Sequence, residues 1–507
     1  MGSVSRCARP YGRNRIAVPF WGPGRDRCRS RLGLQIVQVG RNLAGRLETA
    51  RAAFGEQSDV NSSTAAVERE RDRHLFHPGP KRLLALDGGG VRGAITVAFL
   101  EQIEHVLCQH LGRKEVHLGD WFDLIGGTST GSIIAGALAL GYTIQDVKRF
   151  YIELAPKVFK RQFWRMLALK SKFDAAALRK EIQSIVGDDT LDSERLITGL
   201  CVVTKRIDTG SPWILANNPR APYWNDNKHY RLGTLVRAST AAPFYFEPEP
   251  IVIDAKTTGS FVDGGVTPHN NPSLILFLMT ILKPFNIGWA LGPDQLSVVS
   301  VGTGSHRDRV VPEELGMGRT MKLAIRALTS LMNDAQTFVL QQMQYLGECP
   351  QPWWINSEIG TLAGDSPPPG KLFRFLRYDV RLELPWIEKE LGRAKVEEVV
   401  NAARRDSEGE RARPFTLNED SVIRMRSMDD PSIIIDIYAL AKLAAQKQVK
   451  PEHWIGELPK WCDGTQPSAI PRPRLPPTGP APSPGRFAVM LSELRAHWAR
   501  IFSPSER

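Results

Sequence analysis

Long apolar runs are missing from this chain: no stretch approaches the roughly 18 consecutive apolar residues that cross a bilayer as a helix. Cysteine is sparse as well. Cys7, Cys28, Cys108, Cys201, Cys349 and Cys462 are scattered over 507 residues with no CxxC pair, which argues against a disulfide framework and favours a reducing compartment. The ten histidines are equally dispersed and form no HExxH, so no metal is expected. Internal repeats are absent too. The first fifty residues hold ten arginines, no lysine and few acids. They lack the apolar core of a secretory signal, and Arg6 stands where N-myristoylation requires Ser or Thr. Their composition fits a transit peptide or a start placed too far upstream equally well, and residues 1–78 are read as an Arg-rich, disordered segment.

What remains is the composition of a soluble globular protein, 42% hydrophobic and 24% charged, on a chain long enough to bury a large core. The net charge of +12 favours anionic partners, nucleic acid or acidic lipid, although the arginine-rich N-terminus carries much of that excess. From Lys81 to about 305, short apolar runs alternate with helical patterns, as in an α/β fold with a mainly parallel sheet. Strands are expected at Arg82–Leu86, Phe122–Ile125, Leu200–Thr204, Ser260–Val262 and Leu296–Val301. Helices are expected at Ala94–Leu111, Gly131–Leu140, Ile144–Leu154 and Ala175–Val186. Residues 306–460 read as helical, with stretches at Gly318–Leu346, Glu383–Arg405 and Pro431–Lys447. Residues 463–486 form a Pro-rich linker, and 487–507 a short tail with Phe487, Leu491, Leu494, Trp498 and Ile501 on one helical face.

Two glycine turns carry the chemistry. The strand Arg82–Leu86 runs into Asp87-Gly88-Gly89-Gly90-Val91-Arg92-Gly93, which offers bare backbone amides at a helix start. The strand Phe122–Ile125 runs into Gly126-Gly127-Thr128-Ser129-Thr130-Gly131, a Gly-x-Ser-x-Gly pattern between strand and helix. A hydroxyl on a tight elbow beside oxyanion donors is what acyl transfer needs. Two competing readings exist: Ser129 as a helix cap, and Gly88-x-Gly90-x-x-Gly93 as a dinucleotide fingerprint. The fingerprint would want an acid closing the second strand, and Asp120 precedes that strand instead. For the base, His269 is the nearest histidine, just after a glycine turn. Asp263, in Phe261-Val262-Asp263-Gly264-Gly265, stands where a strand meets a glycine turn and fits better. The commonest use of Asp-Gly, satisfying turn amides, is the alternative for Asp263.

The ordered set Asp-Gly-Gly-Gly-x-Arg-Gly, Gly-Thr-Ser-Thr-Gly and Asp-Gly-Gly resembles the patatin-like phospholipases. So do Arg237-Ala238-Ser239-Thr240-Ala241-Ala242-Pro243, Asn270-Asn271-Pro272-Ser273 and Ser297 to Gly304. The likeness covers roughly residues 81–305 and continues more loosely, through Met428-Asp429-Asp430-Pro431, to about Trp454. The resemblance implies a three-layer α/β/α fold with a mainly parallel central sheet plus C-terminal helices. It makes Ser129 the nucleophile and Asp263 its partner in a Ser–Asp dyad, with Gly88, Gly89, Gly90 and Arg92 forming the oxyanion site. The implied activity is cleavage of glycerolipid carboxylic esters without metal or cofactor; a silent lipid-binding protein on the same fold is the alternative. The implied partner is membrane glycerolipid, met by reversible surface contact from the cytoplasm, and nucleic acid is not expected. Basic and bulky residues from Lys148 to Tyr151 and Lys157 to Lys172, including Phe159, Phe163, Trp164, Met166 and Leu167, suit an interfacial lip or a half-buried helix pair. Trp353-Trp354 fits an interface anchor or ordinary loop packing.

Overall fold

The computed structural model describes residues 68–158, 175–243, 245–307, 320–409, 412–459, 462, 472 and 473. The arginine-rich N-terminal stretch to residue 67, the bulk of the expected lip at 159–174, the Pro-rich linker apart from 472 and 473, and the amphipathic tail lie outside these residues. Nine strands form one mixed sheet among the described residues: β1 (Lys81–Leu86), β2 (Leu124–Thr128), β3 (Gly199–Arg206), β4 (Ser211–Ala216), β5 (Glu249–Val252), β6 (Thr258–Asp263), β7 (Leu296–Val301), β8 (Gly347–Glu348) and β9 (Phe373–Tyr378). Their order is β5-β6-β3-β2-β1-β7-β9-β8, with β4 paired to β3. The β3-β2-β1-β7-β9-β8 run is parallel throughout; β4, β6 and β5 add antiparallel pairs at one side. The order reverses at β1, which has β2 on one edge and β7 on the other. A crevice therefore opens at the carboxyl ends of the central strands, where such sheets bind ligands.

Both faces of the sheet are covered, which is why its central strands are largely apolar and buried. Along β1 the side chains alternate between two cores. Leu84 and Leu86 join a cluster with Ile95, Phe99, Ile134, Ile437 and Leu440. Leu83 and Ala85 join one with Leu276, Phe277, Val339 and Met343. The first layer is built from helices Gly93–Leu111, Thr130–Ala139 and Ile434–Gln448, the second from Ser273–Ile281 and the long helix Thr320–Leu346. No helix among the described residues is long and apolar enough to cross a membrane.

Besides adding β4 and β5, which the sequence did not announce, the structure departs from the sequence reading in four places. Gly126 and Gly127 belong to β2 and the chain turns at Ser129, because the strand is needed through Thr128 to pair with Val203. Residues 70–76, inside the segment read as disordered, form a helix. Its His74 is fully buried and 3.1 Å from Asp123, and Lys81 lies 3.5 Å from the same carboxylate. The region 306–460, read as helical, contributes β8 and β9 at one side of the sheet, with β9 paired to β7. Finally, Glu383–Arg405 is two helices, Leu384–Leu391 and Arg393–Glu408, divided at Gly392 with φ +81°.

The elbow is sterically exacting. A Cβ on Gly127 would fall on the Gly131 carbonyl, and a Cβ on Gly131 would fall on the Leu86 carbonyl. Gly136, on the same helix, has only Val186 and Val236 side chains at 3.8 and 3.9 Å from its Cβ position. Gly131→Ala should therefore cost about 3 kcal/mol or more. Gly136→Ala should be neutral or stabilise by up to about 1 kcal/mol through helix propensity. Urea unfolding of the two variants, one position a collision and the other open, checks the geometry.

Candidate active site

The site is built at a change of partner along one edge of β3. Residues 199–203 of β3 pair in parallel with β2, so that Val203 meets Thr128. Residues 204–206 pair antiparallel with β6, so that Thr204 meets Asp263. The other edge of β3 is taken by β4 over Cys201 to Arg206, so β2 and β6 must share one edge. They run toward each other along it, and their carboxyl ends meet. Ser129 follows one end and Asp263 closes the other.

Ser129 has φ 52° and ψ −126°, a backbone conformation that a side-chain-bearing residue holds only under constraint. The constraints are visible. Its N–H donates to Ser239 Oγ at 2.9 Å, and its carbonyl accepts from Ser132 N at 2.9 Å and Ser132 Oγ at 2.6 Å. Ser239 Oγ in turn donates to the Val203 carbonyl at 2.6 Å, the last β3 residue before the partner changes. Ser239 thus caps the discontinuity in the ladder and ties it to the elbow. Thr128 Oγ1 donates to the His269 carbonyl at 2.7 Å, fastening the end of β2 to the loop after β6.

Ser129 Oγ donates to Asp263 Oδ2 at 2.6 Å. Oδ1 of the same carboxylate accepts the Gly265 N–H at 2.6 Å, so the turn-amide role weighed for Asp263 is filled by one oxygen while the other faces the hydroxyl. Ser129 is half-buried, and Asp263 is 5% exposed. Burial pushes the Asp263 carboxyl up to about 6; the Ser129 hydroxyl, the Gly265 amide and the Arg237 guanidinium oppose that rise. His269 hydrogen-bonds neither Ser129 nor Asp263. Its Nδ1 is buried with no partner among the described residues, and burial lowers its pKa, so it favours the neutral form. Asp120, the acid a dinucleotide site would have needed, sits at the other end of β2 and pairs with Arg472 at 2.6 Å.

The glycine turn lies against the elbow: a Cβ on Gly88 would come within 3.0 Å of Ser129 Cβ. The turn's amides are not equivalent. Gly88 N–H donates to the Asn270 carbonyl at 3.2 Å, so the expectation that it joins an oxyanion site needs correction: that donor is already used. Gly89 and Gly90 N–H have no acceptor among the described residues. Their directions are set by the carbonyls of their own peptide planes, since N–H and C=O point oppositely across a trans peptide. The Gly88 carbonyl accepts from Thr303 Oγ1 at 2.8 Å and Asn270 Nδ2 at 3.4 Å, and the Gly89 carbonyl accepts from Arg92 N at 3.2 Å. Gly90, at φ +59°, has its carbonyl held by Thr130 Oγ1 at 3.0 Å and by the Tyr151 hydroxyl. Arg92 is buried, and its guanidinium meets His306 Nδ1 at 3.4 Å.

Residues 84–277, which include Ser129, Asp263 and the glycine turn, match the family model described as Patatin-like phospholipase. Over these residues the chain is similar to the patatin-like phospholipases. It is 28% identical over 227 residues to a cGAMP-activated phospholipase of Escherichia coli, an alignment covering 44% of this chain and 62% of that protein. It is 33% identical over 204 residues to a cGAMP-activated phospholipase of Vibrio cholerae, covering 38% of this chain and 56% of that one. Patatin-like protein 4 of Arabidopsis thaliana is 31% identical over 242 residues, covering 44% and 59%. The patatin-like chain thus spans about three fifths of the length of these relatives.

A carboxyl raised in the fold from its ordinary 3.8 to about 6 is better tolerated there protonated than ionised. Native stability therefore falls as pH rises through that window, and a side chain that cannot ionise escapes the loss. Asp263→Asn should be more stable than the parent at pH 7.5 by up to about 3 kcal/mol, with the advantage shrinking toward pH 4. Thermal unfolding of both proteins across that range measures it; an Asn variant less stable at pH 7.5 would mean that the carboxylate holds the fold together.

Proposed function

We propose that this protein is a phospholipase-type acyl hydrolase that cleaves glycerolipid carboxylic esters through a Ser129–Asp263 dyad. One observation carries the reading: a serine hydroxyl on a positive-φ elbow donates to a buried carboxylate at 2.6 Å, with unengaged glycine amides alongside. A merely structural serine would not require so costly a backbone, since an ordinary helix cap sits in the extended region. The phospholipase names of two of its relatives agree with this chemistry.

In this mechanism Ser129 Oγ attacks the ester carbonyl carbon while its proton passes to Asp263 Oδ2. Electrons of the C=O bond move onto oxygen, and the Gly89 and Gly90 amides receive the oxyanion. Collapse expels the alcohol, a lysolipid, which takes the proton from Asp263 and leaves an acyl-enzyme. Water then repeats the sequence: Asp263 accepts its proton, the acyl bond breaks, and the proton returns to Ser129 as the fatty acid leaves. A carboxylate at its ordinary pKa near 4 is a feeble base. Burial of Asp263 brings its pKa to about 6, nearer the working pH, and so strengthens it as a base. The Arg92 guanidinium stabilises the turn electrostatically, through Asp87 at its start.

Fatty-acid release from mixed-lipid vesicles should vanish in Ser129→Ala, by a factor of at least about 1,000. Persistence of release would overturn the nucleophile assignment, and absence of release from the wild type would favour a lipid-binding role. Because the base must be ionised, kcat/KM should rise with pH through a single ionisation near 6 and level above it. A pH–rate profile that rises instead near 4, or falls through this range, would be incompatible with Asp263 as the base.

A further inference from the structure

We propose that Arg377, on β9 and outside the residues that match the family model, is the positioning residue that holds the glycine turn in register for catalysis. The inference rests on the acyl-hydrolase reading of Ser129 and names a part of the same site that sequence similarity does not reach. Residues 84–277 contain the reacting groups. A cationic anchor with a bidentate grip on the turn comes from a strand a hundred residues further on.

Arg377 is 8% exposed, and both terminal nitrogens of its guanidinium are engaged. NH1 donates to Asp87 Oδ1 at 3.1 Å and to Ser300 Oγ at 2.7 Å; NH2 donates to Asp87 Oδ2 at 2.7 Å and to Asp379 Oδ2 at 2.8 Å. Two routes lead from this fork to the turn. The first is direct: Asp87 immediately precedes Gly88, so the bidentate pair fixes the turn at its root. The second passes through Asp379, whose Oδ1 accepts the Gly304 and Val380 amides at 2.8 Å each. A Cβ on Gly302 would collide with the same carboxylate, so Asp379 packs flat beneath the Gly302–Gly304 segment. That segment presents Thr303, whose hydroxyl holds the Gly88 carbonyl at 2.8 Å. The Gly88 carbonyl and the Gly89 N–H belong to one peptide plane, so Thr303 sets the direction of an amide assigned to the oxyanion. Asp379 is itself pinned from outside, its carbonyl accepting from Gln448 Nε2 at 2.8 Å.

A lysine cannot reproduce this. Its ammonium is a single point, whereas the guanidinium plane bridges two carboxylates and a hydroxyl at fixed angles. Arg377 touches no reacting atom. Its effect is on donor placement, which matters in the transition state and little in substrate binding.

The test compares wild type, Arg377→Lys and Thr303→Val in ester hydrolysis, with active sites counted by titration with a fluorophosphonate. Arg377→Lys should lose about 100-fold in kcat per titrated site, with KM unchanged within about twofold. Thr303→Val, which removes one hydroxyl and keeps the shape, should lose about tenfold in the same pattern. A purely structural role would lower the number of titrated sites and leave the turnover of each intact; that result overturns the proposal, as does kcat within twofold of wild type in both variants. Should Arg377→Lys fail to fold, Thr303→Val decides. If wild type neither labels nor hydrolyses, the acyl-hydrolase reading fails separately. Amide exchange of the peptide spanning residues 84–93 then decides the positioning claim: faster exchange in the folded variants supports it, and unchanged exchange overturns it.

Discussion

The site depends on a discontinuity in backbone pairing. Along one edge of β3 a parallel partner gives way to an antiparallel one between Val203 and Thr204, and two strand ends that would normally lie on opposite sides of a sheet are brought together. A regular ladder would satisfy the Val203 carbonyl with a neighbouring amide; here Ser239 does so, and spends its acceptor on the Ser129 N–H. Buried backbone groups must be paired, so a break of this kind survives only if side chains take over the missing bonds. The hydroxyls of Thr128 and Ser239 are those side chains. The strained backbone of Ser129 and its distance to Asp263 both follow from how this gap is closed.

Two buried aspartates flank the centre, and each has its carboxyl pushed up by burial to about 6. Their surroundings assign them different work. Asp87 faces the Arg377 fork and has no hydroxyl to deprotonate, so its charge anchors backbone. Asp263 has a weaker cationic influence, from Arg237, and keeps one oxygen directed at Ser129. Burial raises both, and the groups opposing the rise differ: chiefly the Arg377 guanidinium at Asp87, chiefly the Ser129 hydroxyl and the Gly265 amide at Asp263.

Much of this was legible in the residues. The glycines at 127 and 131 could be read as a nucleophile elbow because only glycine fits beside backbone at those two spacings, a constraint that shows in sequence as well as in space. β1 and β7 were evident from short runs rich in Leu and Val, buried on both faces. β9 was not, because Phe373-Arg374-Phe375-Leu376-Arg377-Tyr378 places two arginines in a largely buried strand, and Asp87, which compensates Arg377 together with Asp379, is remote in the chain. β4 and β5 were hidden by Pro212 and Pro250 in short strands. The availability of the Gly88 amide could not be read at all: whether a donor is free depends on a carbonyl from Asn270, brought there only by the fold. Ser239 stood in a recognisable motif, but its task exists only because β3 changes partner.

The placement of β9 between β7 and β8 has a consequence for how the protein comes into being. A ribosome delivers Ser129 and Asp263 well before it delivers Arg377, and the strand that carries the fork can join β7 only after the long helix Thr320–Leu346 has been made. For that interval the nascent polypeptide owns a hydroxyl and a carboxylate but lacks the cation at the root of its glycine turn. Translation alone thus sets a delay between the synthesis of Ser129 and Asp263 and the arrival of the arginine that grips Asp87.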